Sequence, residues 1–398
     1  MSRPIRTLLF STLYPSSVRP LHGVFVETRL RELLKSGQVQ TRVVAPVPWF
    51  PSTHERWGHY GRFARTPAKE VHNGIEVLHP RYALLPKIGM TMAPLLMALA
   101  ALRCMQGVID EGFDFDVIDA HYYYPDGVAA AFLARYFRKP LAITARGSDL
   151  NLLPDYTLPR KMIQWAASRA DASIGVSAAL TDVLRAWGIP PNRLHVMRNG
   201  VDLDRFAPQA DARRKLGIEG APVLISVGNL IELKGHHLAL AAMPAVLKRY
   251  PSARLLIVGA GEERTRLEMQ ATALGIAGRV TLVGTIPNGQ MANWYSAADA
   301  LILASSREGW ANVLLEAMAC GTPVVATRIC GTPEVVAADA AGLLVDRRDA
   351  ESIADGILKL LNSPRDRAGV RRYAEGFGWA QTTQAQLDLF GRLASLQP

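Results

Sequence analysis

The stretch Ser305–Ala326, SSREGWANVLLEAMACGTPVVA, places two carboxylates, Glu308 and Glu316, around a helix start. Leu301–Leu303 reads as a strand end and Ser305–Trp310 as a loop. A helix is predicted from Asn312 to Cys320, stopped by Gly321 ahead of Pro323. The amides of Gly309, Trp310, Ala311 and Asn312 then point out of a helix N-terminus, where they attract anions because they have no intrahelical acceptor. Glu316 follows Asn312 by one turn, on the same face. A carboxylate beside such amides can accept hydrogen bonds from sugar hydroxyls, and a second can hold a ribose diol. Singly, the two read as a plain loop charge and a plain helix charge. The small apolar Ala317, Met318 and Ala319 around Glu316 argue otherwise. With a helix between them the two lie ~12 Å apart, too far for the ~5–9.5 Å carboxylate pair of a glycosidase.

Val223–Gly235, VLISVGNLIELKG, reads as a strand entering a glycine turn that presents Lys234, well placed to neutralise a diphosphate leaving group. Alone, such a lysine is surface charge. In Ser11–Glu27, Gly23 opens a helix after a polar loop, which lets backbone approach a phosphate. His121 in DAHYYYPDG, and Arg146 with Asp149 in ARGSDLNLL, each lie just past a strand end. The plain alternatives are a structural loop histidine and an Arg146–Asp149 ion pair. Asp114-Phe-Asp116 and Asp202-Leu-Asp204 have the spacing of a metal-binding DxD but sit in turns, and VGAGEE at Val258–Glu263 is short of the dinucleotide fingerprint.

The elements that must position these residues alternate twice. Apolar runs Thr7–Ser11, Thr41–Ala45, Val117–Ala120, Leu141–Thr144 and Ala172–Val176 are separated by helical patterns such as Val24–Lys35 and Gly127–Tyr136. A second series, Val223–Val227, Arg254–Val258, Val280–Val283, Ala300–Leu303 and Pro323–Ala326, alternates with helices near His236–Arg249, Glu262–Leu274, Met291–Ser296 and Asn312–Ala319. Short buried strands between helices mean parallel sheets covered on both faces, so the fold class is α/β with two Rossmann-like doubly wound domains. Turn residues in NGVDLDRFAPQ, Asn199–Gln209, mark the join. Sites in such folds form at the C-terminal ends of the strands, here in a cleft between domains.

The 398 residues suit two domains, and 49% hydrophobic against 20% charged residues is an ordinary globular balance. Three cysteines, Cys104, Cys320 and Cys330, show no metal-ligand spacing and fit a reducing compartment. The N-terminus lacks a signal-peptide pattern, which makes cytoplasmic the expected location. Residues 1–200 hold 24 Lys and Arg against 15 Asp and Glu, a surplus of nine, whereas the remainder holds 21 against 20. The basic half therefore meets something anionic or is simply solvated. Its charges read as scattered singly, without a Lys/Arg run or aromatic interleaving, which argues against nucleic acid. The apolar run Ile88–Leu102, bounded by Lys87 and Arg103 and holding Pro94, is shorter than the ~20 residues of a spanning helix. It reads as a core or interfacial helix.

Gly23, GSD at Gly147–Asp149, RNGVDLDRF at Arg198–Phe206, VGNL and KG within Val227–Gly235, and EGWANVLLEAMACGTPVVA together resemble family 4 of the retaining glycosyltransferases, which have the GT-B fold. Within it the chain looks most like bacterial enzymes that build cell-surface polysaccharides and exopolysaccharide, including the teichuronic acid type. The resemblance implies retaining, metal-independent hexosyl transfer with no cofactor. It implies catalytic roles for Lys234, Glu308, Arg146 and His121. It also implies donor contacts from Gly23, Asn229, the base-flanking Thr285, Ile286 and Pro287, then Gly309, Trp310, Ala311, Asn312 and the ribose-binding Glu316. The implied division is an acceptor domain over 1–198, a donor domain over 199–374, and a helix over 375–398 crossing back. The implied partners are a UDP- or GDP-sugar and a glycan or polyprenyl-diphosphate-linked acceptor, with peripheral contact at an anionic inner membrane face. Two departures stand out: Asn229 replaces the family's usual Arg, and Arg146 its usual His, so Arg146 is expected to restore the missing charge. The alternatives are a catalytically degenerate nucleotide-sugar-binding protein and a nucleotide-sugar epimerase on the same fold.

Overall fold

The structure, a computed structural model, describes residues 3–84 and 89–396, and the chain divides into two compact units, Met1–Arg198 with Ala380–Pro398, and Asn199–Trp379. Each is built on short strands, the central ones buried along both faces, as their unbroken apolar runs require. In the first unit the strands lie in the spatial order Leu194–Val196, Ala172–Gly175, Leu141–Ala145, Val117–His121, Ile5–Phe10, Val39–Val44, Ile75–Leu78, Lys69–His72. All neighbours are parallel except the last two, a hairpin turned by Asn73 and Gly74, both at positive φ. The order reverses between Ile5–Phe10 and Val117–His121, and such a switch point opens a crevice outside the strand C-termini. The C-terminal helix Trp379–Ala394 buries Leu387, Leu389, Phe390 and Leu393 with Leu33, Val39, Val117 and Ile174 of this unit.

One helix differs from expectation. Lys87 and Ile88 lie outside the described residues, and the helix spans Gly89–Asp110, well past Leu102. Met105 and Val108 stay buried while Arg103, Gln106 and Asp110 face solvent, so the apolar run passes into an amphipathic continuation instead of a stop. By length and composition Thr91–Asp110 could cross a membrane, yet Ala93, Met97, Ala98 and Ala101 pack inside the unit. Met92, Leu95 and Leu99 remain exposed along one stripe.

In the second unit the strands run Val280–Gly284, Arg254–Val258, Val223–Val227, Ala300–Leu303, Val324–Thr327, Gly342–Val345, all parallel. Helices His236–Arg249 and Ala350–Asn362 cover one face, joining Leu240, Met243, Val246, Ile353 and Ile357 to Leu255, Ile257 and Ile302 in one core. The edge strand Gly342–Val345, partly exposed and only four residues long, escaped the sequence reading. Strand order reverses between Val223–Val227 and Ala300–Leu303, so the loops after these two strands flank the switch point. The expected architecture of two Rossmann-like sheets is the one observed.

Candidate functional site

The switch point of the second unit brings together residues far apart in sequence. Lys234 follows Val223–Val227 in a 3-10 turn, Glu232–Lys234, and Gly235 (φ 70°) then caps the helix His236–Arg249. A β-carbon on Gly235 would lie 2.0 Å from the carbonyl oxygen of Ala304, so only glycine lets the lysine turn rest against the neighbouring strand end. Glu308 enters from that strand's loop, and the Lys234 ammonium donates to its Oε1 at 2.7 Å. The Ser305 hydroxyl donates to the same oxygen at 2.7 Å, leaving Oε2 without a protein partner among the described residues. Both side chains are largely covered, 23% and 10% exposed, so the pair is screened less than a surface salt bridge.

Next to this pair the helix Asn312–Ala319 begins with no side-chain cap. The Asn312 amide bonds to the Trp310 carbonyl, while those of Gly309 and Ala311 meet no protein acceptor among the described residues. A cation and uncapped amides thus share one corner, which suits a bound anion. Trp310 is nearly buried, its ring 6.3 Å from that of Phe377, and the Asn312 side chain accepts from Asn199 at 3.2 Å. Glu316 is half-buried one turn on, and burial raises its carboxyl despite a hydrogen bond from the Tyr295 hydroxyl at 2.7 Å. Asn229 is exposed, Thr285 and Pro287 are exposed, and Ile286 is half-buried beyond the strand Val280–Gly284.

In the first unit Gly23 (φ 69°) starts the helix Val24–Leu34, and a β-carbon there would meet the Leu13 carbonyl oxygen at 2.2 Å. The glycine seats the Ser11–Gly23 loop. His121 is not in a loop: it ends the strand Val117–His121 and is 1% exposed. Its Nε2 lies 3.1 Å from Asp119 Oδ2, and Nδ1 faces the Arg146 guanidinium in a short contact. A guanidinium only donates, so Nδ1 is the acceptor and the proton resides on Nε2, toward Asp119. Burial lowers this imidazole to about 4, and burial likewise lowers Arg146 to about 9. The guanidinium also stacks 5.4 Å from the Phe25 ring. Asp149 does not pair with the Arg146 side chain. Its carboxylate accepts from the amides of Tyr123, Arg146 and Gly147, holding the turn after Leu141–Ala145 in place.

Several participants were not singled out from the sequence. His236, 2% exposed and lowered by burial to about 4, bridges Ser226 Oγ and the Asn229 carbonyl and so pins the loop before Lys234. Asp119 carries no signal beyond DAH, and its role needs the fold. Three of the four aspartates with DxD spacing are engaged elsewhere, Asp114 with Lys139, Asp116 with Arg3 and the Arg6 amide, and Asp202 with Arg205, and Asp204 is exposed. The reading that basic and aromatic residues do not interleave fails between Trp49 and Arg65. There His54, Arg56, His59, Arg62 and Arg65 alternate with Phe50, Trp57, Tyr60 and Phe63. Phe50 contacts Trp57 and Tyr60 at 5.5 and 5.2 Å, and Trp49, Trp57 and Tyr60 are exposed.

The family described as Glycosyltransferase Family 4 matches residues 23–205, and that described as Glycosyl transferases group 1 matches residues 208–377. The D-inositol 3-phosphate glycosyltransferase of Corynebacterium urealyticum is 33% identical over 310 residues, covering 72% of this chain and 73% of its own. The Bacillus subtilis glycosyltransferase TuaC, named for teichuronic acid biosynthesis, is 28% identical over 364 residues, covering 89% of each chain. The solved structure of sucrose-phosphate synthase from Thermosynechococcus elongatus shares the fold, with a TM-score of 0.82 over 99% of this chain and 100% of its own at 22% identity.

Proposed function

Because the chain belongs to the GT-B glycosyltransferases, we propose that it transfers a hexosyl group with retention from a nucleoside diphosphate sugar bound by the second unit. The observation that carries this reading is the Lys234–Glu308 pair, 2.7 Å apart beside the uncapped start of Asn312–Ala319. Without donor, Lys234 neutralises Glu308. A diphosphate arriving at the helix start draws the ammonium to itself and releases Glu308 Oε1 to accept from hexose hydroxyls. The charge that grows on the leaving diphosphate then meets a preplaced cation and backbone dipoles, the type of stabilisation worth most in a covered site. The leaving diphosphate takes the acceptor proton on the face from which it departs. Glu316 holds the ribose, and Thr285, Ile286 and Pro287 flank the base, taken as uracil. The exposed Asn229 supplies no charge. In the first unit, Gly23 seats the loop before Val24–Leu34, and Arg146, held by His121, supplies a catalytic charge.

The acceptor is a glycan or lipid-linked glycan of a cell-surface polysaccharide. Three features support an anionic membrane face as its location: the basic surplus of residues 1–200, the stripe Met92, Leu95 and Leu99, and the basic-aromatic segment Trp49–Arg65. The Corynebacterium relative favours a second reading, a phosphorylated inositol as acceptor. A panel of UDP- and GDP-sugars with lipid-linked and inositol phosphate acceptors separates the two. Lys234→Ala and Glu308→Gln lower kcat on the order of 10²–10³-fold for whichever acceptor is used. Transfer at the wild-type rate in both variants defeats the proposal.

A further inference from the structure

Glu316 alone does not explain how a half-buried carboxylate keeps the charge and direction that a ribose requires. We infer that Tyr295 is the positioning residue for Glu316, and that this tyrosine–glutamate pair makes the donor site select ribose over 2′-deoxyribose. The inference rests on the donor-site reading above and deepens it.

Tyr295 lies on the helix Met291–Ala297, is 0% exposed, and packs its ring 6.1 Å from that of Phe206. Its backbone carbonyl accepts from the Thr322 hydroxyl at 2.6 Å, and Arg367 donates to that hydroxyl at 3.1 Å, so the tyrosine is fixed at both ends. A phenol has a single hydrogen to donate, and here it goes to Glu316 Oε2 at 2.7 Å. Glu316 Oε1 takes no protein hydrogen bond among the described residues. One oxygen is therefore anchored and the other presented, which is the arrangement a vicinal diol needs: two hydroxyl donors converging on one oriented carboxylate.

The groups facing Glu316 decide its charge. Burial raises the carboxyl, and the Tyr295 hydrogen bond and the nearby Arg205 oppose the rise. Cys320, the residue that caps this helix at its C-terminus, is pushed by burial up to about 12 and stays neutral. Arg371, from the packed helix Arg367–Glu375, is committed to the carbonyls of Phe206, Ala319 and Leu203 and to Glu375. Tyr295 is thus the direct side-chain hydrogen-bond donor to Glu316, and it opposes the rise that burial causes. Without it that rise is less opposed, and the carboxylate is no longer held with Oε1 presented to the diol.

The test is calorimetric titration of the full chain with UDP and 2′-deoxy-UDP, and with GDP and 2′-deoxy-GDP in parallel, between pH 6 and 8.5. For its better base, the wild-type protein is expected to prefer the ribonucleotide by about tenfold or more at every pH, the worth of one hydrogen bond to a charged group. In Tyr295→Phe the preference shrinks, more at the acid end of this range than at the basic end, because the direct donor that opposes the rise of the carboxyl is gone. Glu316→Ala leaves Tyr295 nothing to hold and cannot titrate. It shows a small, pH-independent preference that adding Tyr295→Phe does not change. Tyr295→Phe retaining the wild-type preference at every pH overturns the inference while leaving the donor site standing. So does a further loss when Tyr295→Phe is added to Glu316→Ala, or a wild-type preference retained by Glu316→Ala alone, an outcome that stands even if the phenylalanine variants fold poorly. A wild-type protein that binds neither diphosphate removes the donor-site reading itself, and this inference with it.

Discussion

Gly235→Ala is a single methyl placed where it dislodges the lysine without touching it. An alanine at φ 70° pays roughly 1–2 kcal/mol for left-handed backbone. Its β-carbon would also lie 2.0 Å from the Ala304 oxygen and 2.7 Å from the Ala304 carbon, whereas ordinary contact begins near 3.4 Å. The Ala304 carbonyl is held by Arg348 Nε at 2.9 Å, so the glycine turn must give way by more than about 1 Å, and Lys234 moves with it. A displacement of that size at a reacting centre costs about 10²-fold in rate. Gly217→Ala is the control: it sits at φ 62° with nothing within 4 Å, and carries the backbone penalty without the collision. Urea unfolding and initial rates of sugar transfer are measured on both variants. Gly217→Ala should lose stability and keep its rate, while Gly235→Ala should lose at least as much stability and about 10²-fold in kcat. Equal rates for the two variants refute the reasoning.

Other outcomes follow from the same geometry. His121 and His236, lowered to about 4 by burial, bind protons in the unfolded chain that the folded chain refuses, so stability falls as pH drops from about 6.5 toward 4. His236→Gln should flatten that slope by about 1.4 kcal/mol per pH unit in urea melts, and an unchanged slope would show that His236 titrates normally. Asp126, raised by burial to about 7, acts oppositely: the folded state keeps a proton the unfolded chain loses, and this stabilisation disappears as pH rises from about 4 to 7. Asp126→Asn should therefore steepen the acid-side rise in stability, and a shallower curve contradicts this. Trp49→Ser with Trp57→Ser should weaken binding to anionic liposomes at low salt and leave the melting temperature within a few degrees, because both rings are exposed. Retained binding assigns the membrane contact elsewhere.

Much of this fold was legible in the sequence because its strands are buried on both faces and so appear as short continuous apolar runs between helical stretches. The switch-point loops were legible for the same reason, and Lys234, Glu308 and Glu316 were named from them. The bonds between these residues were not. Lys234 and Glu308 are 74 residues apart, and only the strand order makes them neighbours. Tyr295 reads as an ordinary aromatic on a short helix, and its worth depends on meeting Glu316 across a packed pair of helices. The helix Gly89–Asp110 was cut short because the apolar run ends before the amphipathic pattern does. Arg29 looks solvated on Val24–Leu34 yet is 1% exposed, bonded to Gln386 and the Met197 carbonyl, contacts that no local pattern announces.

The central claim is that a diphosphate binds between Lys234 and the start of Asn312–Ala319. Titrating wild type and Lys234→Ala with UDP and uridine, and with GDP and guanosine, tests it most directly. The alanine variant should lose diphosphate affinity by about tenfold or more and bind the phosphate-free nucleoside as before. Equal diphosphate affinity in the two proteins would contradict it.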